Sequence, residues 1–139
     1  MLIDTPPGRS SEAPAAVEAA DLVLIPVWND QDSYDGAKIT AGLARRMGKR
    51  AYGILNFSTP NSLTHEKTAR DVLQSFDLPL ASVILHRYDA HRLASVGGLT
   101  AQELEPDSVA ARELGALWDW VSATLQLGKS ATVRKKGAA

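Results

Sequence analysis

The sequence predicts an α/β fold with a parallel sheet of about four strands joined by crossover helices. Four short apolar runs predict the strands, at residues 1–4, 22–27, 51–57 and 81–85. Helix-like segments lie between them, and this alternation is typical of a parallel sheet. The second run, Leu-Val-Leu-Ile-Pro-Val, fits a strand that is covered on both faces. Ligands of such sheets bind at the carboxyl ends of the strands.

The helices follow from composition and spacing. They are predicted over residues 12–20, 37–47 and 64–76, and within 86–96 after a loop. Thr64 is the expected N-cap of the third helix. In the second helix, Ile39, Leu43 and Met47 fall on one side.

A last helix is predicted from an N-cap at Asp107 or Ser108 to a stop at Gly128. Its buried stripe is expected to comprise Leu114, Leu117, Trp118, Val121 and Leu125. Trp120 falls on another side, where it would cover an edge or meet a partner.

Composition excludes several classes of protein. The 139 residues, 45% apolar and 22% charged, suit one compact domain. No cysteine is present, so disulfides and thiolate sites are excluded. No apolar run reaches the roughly 20 residues of a membrane span. His65, His86 and His91 do not form a metal-ligand pattern, and there is no Gly-x-Ser-x-Gly elbow.

Charge divides the chain into two parts. Residues 129–139 carry four basic residues and no acid, whereas the whole chain has a net charge of −1. We therefore expect a domain over residues 1–128 and a basic, disordered tail over 129–139. Such a tail can attract nucleic acid, and it is equally typical of a solvated chain end.

The most informative motif is Asp4-Thr5-Pro6-Pro7-Gly8, which closes the first apolar run. An acid at a strand end can hold magnesium, and a glycine lets a backbone amide approach a phosphate. The motif resembles switch II of the deviant-Walker ATPases, the group that contains ParA and MinD.

Further segments extend this resemblance over about residues 2–127. Residues 20–27 resemble the next ParA strand, and Asn56 stands where the family has a strand-end asparagine. Later matches are Leu78-Pro79, residues 82–85, Ala94, Gly98 and Glu103. On these segments the chain is identified as similar to the C-terminal part of a ParA partition ATPase, a partial P-loop NTPase fold.

The resemblance implies a site for ATP and Mg²⁺. Asp4 would position the metal and serve catalysis, and Gly8 would approach the γ-phosphate. Pro6 and Pro7 would shape the switch, and the Asn56 amide would recognise adenine. Phe57 departs from the family, where many relatives have a basic residue, and so does Leu85-His86, where relatives often have proline.

No phosphate-loop segment precedes Asp4 in this sequence. Because that loop supplies the phosphate-binding lysine, we expect weak or absent ATP binding and almost no hydrolysis by this chain alone. The strand of Asp4 would also lack its usual neighbour, so it would either find a new pairing or remain loose.

An alternative is a ParA-like binding module that acts without catalysis. It would work through DNA or a full-length relative, and Arg87 and Arg92 are its candidate nucleic-acid contacts. The same two arginines also fit an ordinary solvated surface. Family resemblance implies a homodimer, a centromere-binding ParB-like partner and a cytoplasmic or nucleoid location. No membrane partner is expected, because the tail has no apolar face like that of a MinD membrane helix.

Overall fold

The computed structural model describes residues 1–6 and 11–127. The elements in chain order are α1 (Ala13–Ala19), β1 (Val23–Val27), α2 (Gln31–Arg46), β2 (Ala51–Leu55), α3 (Leu63–Gln74), α4 (Asp89–Val96), α5 (Ala101–Leu104) and α6 (Val109–Leu125). Helices and strands alternate in the first half of the chain, which confirms the α/β class. Pro7, Gly8 and the tail predicted over 129–139 lie outside the described residues.

The sheet has fewer strands than predicted. β1 and β2 pair in parallel, with Val23 opposite Ala51 and Val27 opposite Leu55. Within the described residues these are the two strands of the sheet, so the prediction of about four strands is wrong.

The predicted fourth strand runs beside β2 without forming a ladder. Isolated parallel bridges join Gly53 to Leu80 and Ser58 to His86. The Gly53 carbonyl accepts from the Ala81 amide and the Leu55 carbonyl accepts from the Leu85 amide, both at 2.9 Å. The chain therefore advances from 81 to 85 while β2 advances only from 53 to 55. The two extra residues take the segment out of register.

The predicted first strand is absent. Residues 1–6 have no regular secondary structure and are all exposed. Leu2 is 91% exposed, so this apolar run is not buried in a sheet. The sequence left two outcomes open for this segment, a new strand pairing or a loose end, and in the structure it is unpaired.

Beyond β1 the sheet has a free edge in the described part of the chain. Val23 donates to Arg50 and Val27 accepts from Asn56, so residues 23, 25 and 27 direct their backbone groups toward β2. Leu24 and Pro26 therefore direct theirs toward the free edge. Pro26 has no amide hydrogen to donate, and because it faces the free edge the sheet loses no hydrogen bond there.

The helix starts depend on local caps. The Asp30 side chain accepts from the Ser33 amide at 2.8 Å, so α2 begins six residues before its predicted start. Ser62, rather than Thr64, caps α3. Ser108, one of the two residues predicted for this role, caps α6. α5, which was not predicted, begins with a capping box between Thr100 and Glu103.

The core has two parts. The larger one lies between the sheet, α2 and α3, and its fully buried members include Val27, Leu55, Leu73 and Leu78. Gly53 belongs there because a Cβ on it would lie 2.5 Å from Leu73 Cδ1. A smaller alanine cluster joins α4, α5 and α6.

The two tryptophans of α6 lie in different surroundings. Trp118 is 64% exposed, so its place in the buried stripe is wrong. Trp120 packs edge-on against Tyr52 of β2, with ring centroids 5.0 Å apart. Ile39 of α2 is 50% exposed as well.

Among the described residues no helix is long and apolar enough to cross a membrane.

Candidate functional site

Three chain segments leave the carboxyl edge of the sheet close together. Trp28 follows β1, Asn56 and Phe57 follow β2, and His86 to Tyr88 follow the segment beside β2. The Ser58–His86 bridge and the bond from the Arg87 amide to the Ser58 carbonyl, 2.9 Å, join the last two segments. This edge is where open parallel sheets place their ligands.

An aromatic platform of Trp28, Phe57 and Arg87 lies at this edge. The Trp28 and Phe57 rings stack with centroids 5.4 Å apart and planes 21° apart. The Arg87 guanidinium carbon lies 5.7 Å from the Phe57 ring centroid. Both rings are 52% exposed, so the platform presents two aromatic surfaces and a cation to the solvent.

The backbone holds Phe57 in an unfavourable conformation. Its φ is +59°, in the left-handed region that residues with a Cβ rarely adopt. The Asn56 Oδ1 accepts from the Phe57 amide at 2.8 Å and fixes the turn. An exposed aromatic residue in a strained backbone is a frequent mark of a binding site.

A carboxylate behind the platform supports the Arg87 segment. Glu113 of α6 accepts from the His86 amide at 2.9 Å and lies 2.7 Å from His86 Nδ1. The Tyr88 hydroxyl donates to the same carboxylate at 3.4 Å. Partial burial raises the pKa of Tyr88 above its ordinary value, and the negative charge of Glu113 adds to the effect. Glu113 thus ties both neighbours of Arg87 to α6.

The structure brings only part of the predicted site together. Asn56 and Arg87 lie on either side of Phe57 at the carboxyl edge. Arg92 lies on α4, exposed, with its Nε 3.5 Å from Asp89 Oδ1, and it makes no contact with the platform.

Asp4, the predicted metal residue, lies outside the helices and strands of the protein. Asp4 lies on the exposed residues 1–6, where its Oδ1 accepts from the Thr5 amide at 3.0 Å. Pro6 is exposed, while Pro7 and Gly8 are not among the described residues. The described residues include no group of three or more carboxylates, histidines or cysteines placed to hold a metal ion.

Sequence reasoning missed Trp28, the Phe57 ring and Glu113 as parts of the site. An aromatic residue within two positions of the end of each of two neighbouring strands was the available signal, because the ends of parallel strands meet at one edge. Glu113 gave no such signal, since its role depends on how α6 packs.

In comparisons with known proteins, no protein-family model and no curated protein matches this chain.

Proposed function

We propose that this chain is a ParA-like module that binds nucleic acid at its carboxyl edge and does not hydrolyse ATP by itself. The observation that carries the proposal is the aromatic platform of Trp28, Phe57 and Arg87, half exposed and held in a strained turn. The ParA-like part rests on the sequence segments that resemble the family, and on the alternating helices and strands of the first half.

The chemistry of the platform suits single-stranded nucleic acid. Exposed aromatic rings stack on the face of any base, and each stacked base contributes about 1–3 kcal/mol. A guanidinium beside the ring can pair with a phosphate in a fork of two hydrogen bonds. Binding of this kind has little sequence preference and weakens with salt.

ATP is the second candidate ligand, and Asn56 is the observation that favours it. Its Oδ1 is used by the Phe57 amide, while its Nδ2 has no partner among the described residues. One remaining donor can reach the edge of a base, but the described residues include no group of three or more carboxylates or histidines placed to hold the metal ion of ATP. ATP hydrolysis by this chain alone is therefore not part of the proposal.

The ParA-like interpretation also implies partners. These are a ParB-like centromere-binding protein and a second ParA-type subunit, either another copy or a full-length relative. Nucleoid-associated cytoplasm is the location that fits such partners.

Fluorescence anisotropy of a labelled, mixed-sequence single-stranded oligonucleotide tests the proposal. We expect micromolar binding at low salt. Arg87→Gln should weaken it and reduce the salt slope by about 1. Arg70→Gln, an exposed arginine on α3, is the matched control and should change little. Arg92→Gln tests the other arginine predicted from the sequence.

Titration of a fluorescent ATP analogue in the presence of magnesium tests the second candidate ligand, ATP. The proposal expects no binding up to millimolar nucleotide, and no change in Asp4→Ala. Tight nucleotide binding that Asp4→Ala abolishes, together with oligonucleotide binding that Arg87→Gln leaves unchanged, would show that the chain binds nucleotide through Asp4 and would overturn the proposal.

A further inference from the structure

A basic groove lies between the end of α2 and the turn after α3, on the side of the fold where the strands begin. We define it by Lys38, Arg45, Arg46, Lys49 and Asp77, which line two adjoining clefts. The larger cleft has a volume of about 540 Å³, which is room for several side chains rather than a single ion. Four cations and one carboxylate give the groove a net charge of +3.

Most of this charge is not neutralised within the molecule. Asp77 pairs with Arg45 at 3.1 Å. Lys38, Arg46 and Lys49 form no ion pair in the described part of the chain. Arg46 lies over Gly42, where a Cβ would be 3.6 Å from its Nη1, so its guanidinium borders the cleft.

The groove also has an apolar component. Ile39 lines the larger cleft and is 50% exposed, and the partly buried Phe76 lies in the same wall. Exposed apolar surface and a carboxylate are poorly suited to a phosphate backbone. They suit a segment that carries both acidic and apolar side chains.

The same chain has a segment of that chemistry on its other half. Residues 99–107 contain three acidic residues and no basic one, a charge of −3 that matches the groove. Leu99 and Leu104 in this segment are 43% and 42% exposed. We call residues 99–107 the acidic turn.

The carboxylates of the acidic turn differ in their availability. Glu103 is held by the capping box of α5. The side chains of Glu105 and Asp107 are exposed and form no ion pair among the described residues. Arg112 donates to the Asp107 backbone carbonyl at 2.6 Å, which leaves the carboxylate itself free.

We propose that copies of this chain associate head to tail, the acidic turn of one copy docking in the basic groove of the next. The two surfaces lie on different parts of the molecule, so the contact is heterologous. Repetition of such a contact produces a closed ring or an open chain rather than a two-fold dimer. This association is independent of the aromatic platform.

Sedimentation velocity of the full chain over a range of concentrations, at low and high salt, tests the association. We expect the weight-average mass to rise above 14.9 kDa with concentration at low salt and to fall back at high salt. Arg46→Glu with Lys49→Glu reverses the groove, and Glu105→Lys with Asp107→Lys reverses the acidic turn. Each variant alone should weaken association at least tenfold.

Mixing the two variants gives the decisive measurement. The first keeps an intact acidic turn and the second an intact groove, so an equal mixture should associate although neither variant does so by itself. Lys67→Glu with Arg70→Glu, on the exposed side of α3, is the matched control and should associate like the wild type. Circular dichroism verifies that each variant is folded.

Three results would overturn the proposal. The wild type could remain monomeric at low salt and high concentration. The reversed variants could associate as well as the wild type, or their mixture could stay monomeric. A groove reversal that abolishes duplex DNA binding by a monomeric protein would assign the groove to nucleic acid instead.

Discussion

Replacing Phe57 by glycine and by alanine separates the strain of its backbone from the function of its ring. Both substitutions remove the ring from the platform, so they differ only in the Cβ. At a φ of +59° a residue with a Cβ costs about 1–2 kcal/mol relative to its preferred conformations. Alanine recovers about 0.4–1 kcal/mol by restricting the unfolded chain.

The difference between these two effects sets the expected magnitude. We expect Phe57→Gly to be more stable than Phe57→Ala by about 0.8 kcal/mol, the difference between the midpoints of these two ranges. With an m-value of about 2 kcal/mol per molar urea, the midpoint should differ by about 0.3–0.5 M. Urea unfolding followed by circular dichroism measures this directly.

A second position with ordinary backbone geometry provides the control. Asp119 is exposed in the interior of α6, and there alanine should be more stable than glycine by about 1 kcal/mol. The order of stabilities at Phe57 should therefore be the opposite of the order at Asp119. If Phe57→Ala were at least as stable as Phe57→Gly, the turn would not be strained, and backbone strain would give no reason to assign a function to Phe57.

Binding should respond to both Phe57 variants alike. Loss of one stacked base costs about 1–3 kcal/mol, which corresponds to about 5- to 150-fold weaker oligonucleotide binding. Unchanged binding in both variants would show that the ring makes no contact with nucleic acid.

Two further predictions concern the fold. Gly53→Ala should destabilise the protein by about 1–3 kcal/mol, because its Cβ would lie 2.5 Å from Leu73 Cδ1. In the Leu73→Ala background the same change should cost almost nothing, and a double-mutant cycle by urea unfolding that gave additive effects would contradict this contact. The backbone and hydroxyl hydrogen bonds of Thr100 lower the pKa of Glu103 below its ordinary 4.5. This carboxylate should therefore stabilise the fold above about pH 4.5 and lose its contribution as the pH falls through its lowered pKa. Glu103→Gln should flatten that acid-side slope in thermal melts, and an unchanged slope would show that the capping box does not contribute.

Local sequence signals predicted most helices but not the extent of the sheet. Asp107 and Ser108 were both identifiable as candidate caps from their position before an apolar pattern, and the structure selects Ser108. α2 starts earlier than predicted because residues 28–35 have the polar composition typical of a loop, and the Asp30 cap that begins the helix lies among them. The segment at 81–85 has the composition of a strand, yet its pairing depends on register with β2, which composition does not contain.

Part of the candidate site was predictable from local sequence signals of this kind. Asn56 and Arg87 follow strand-like runs, so they could be placed at the carboxyl edge. Asp4 was placed there too, because its motif resembles switch II. Its location depends on whether residues 1–4 find a strand to pair with, and the structure leaves them unpaired. The buried face of α6 was hard to predict for a related reason. Two possible apolar faces of the helix, one with Trp118 and one with Trp120, differ by a small rotation of the helix about its axis.

Pro26 also affects how copies of this protein can meet. A strand added along β1 would find one outward amide donor, at Leu24, and none at Pro26. A continuous backbone ladder between copies is therefore interrupted at its centre, which limits growth of cross-β aggregates from this edge. Association between copies then depends on side-chain surfaces, which respond to salt and to single charge reversals, rather than on backbone pairing, which would respond to neither.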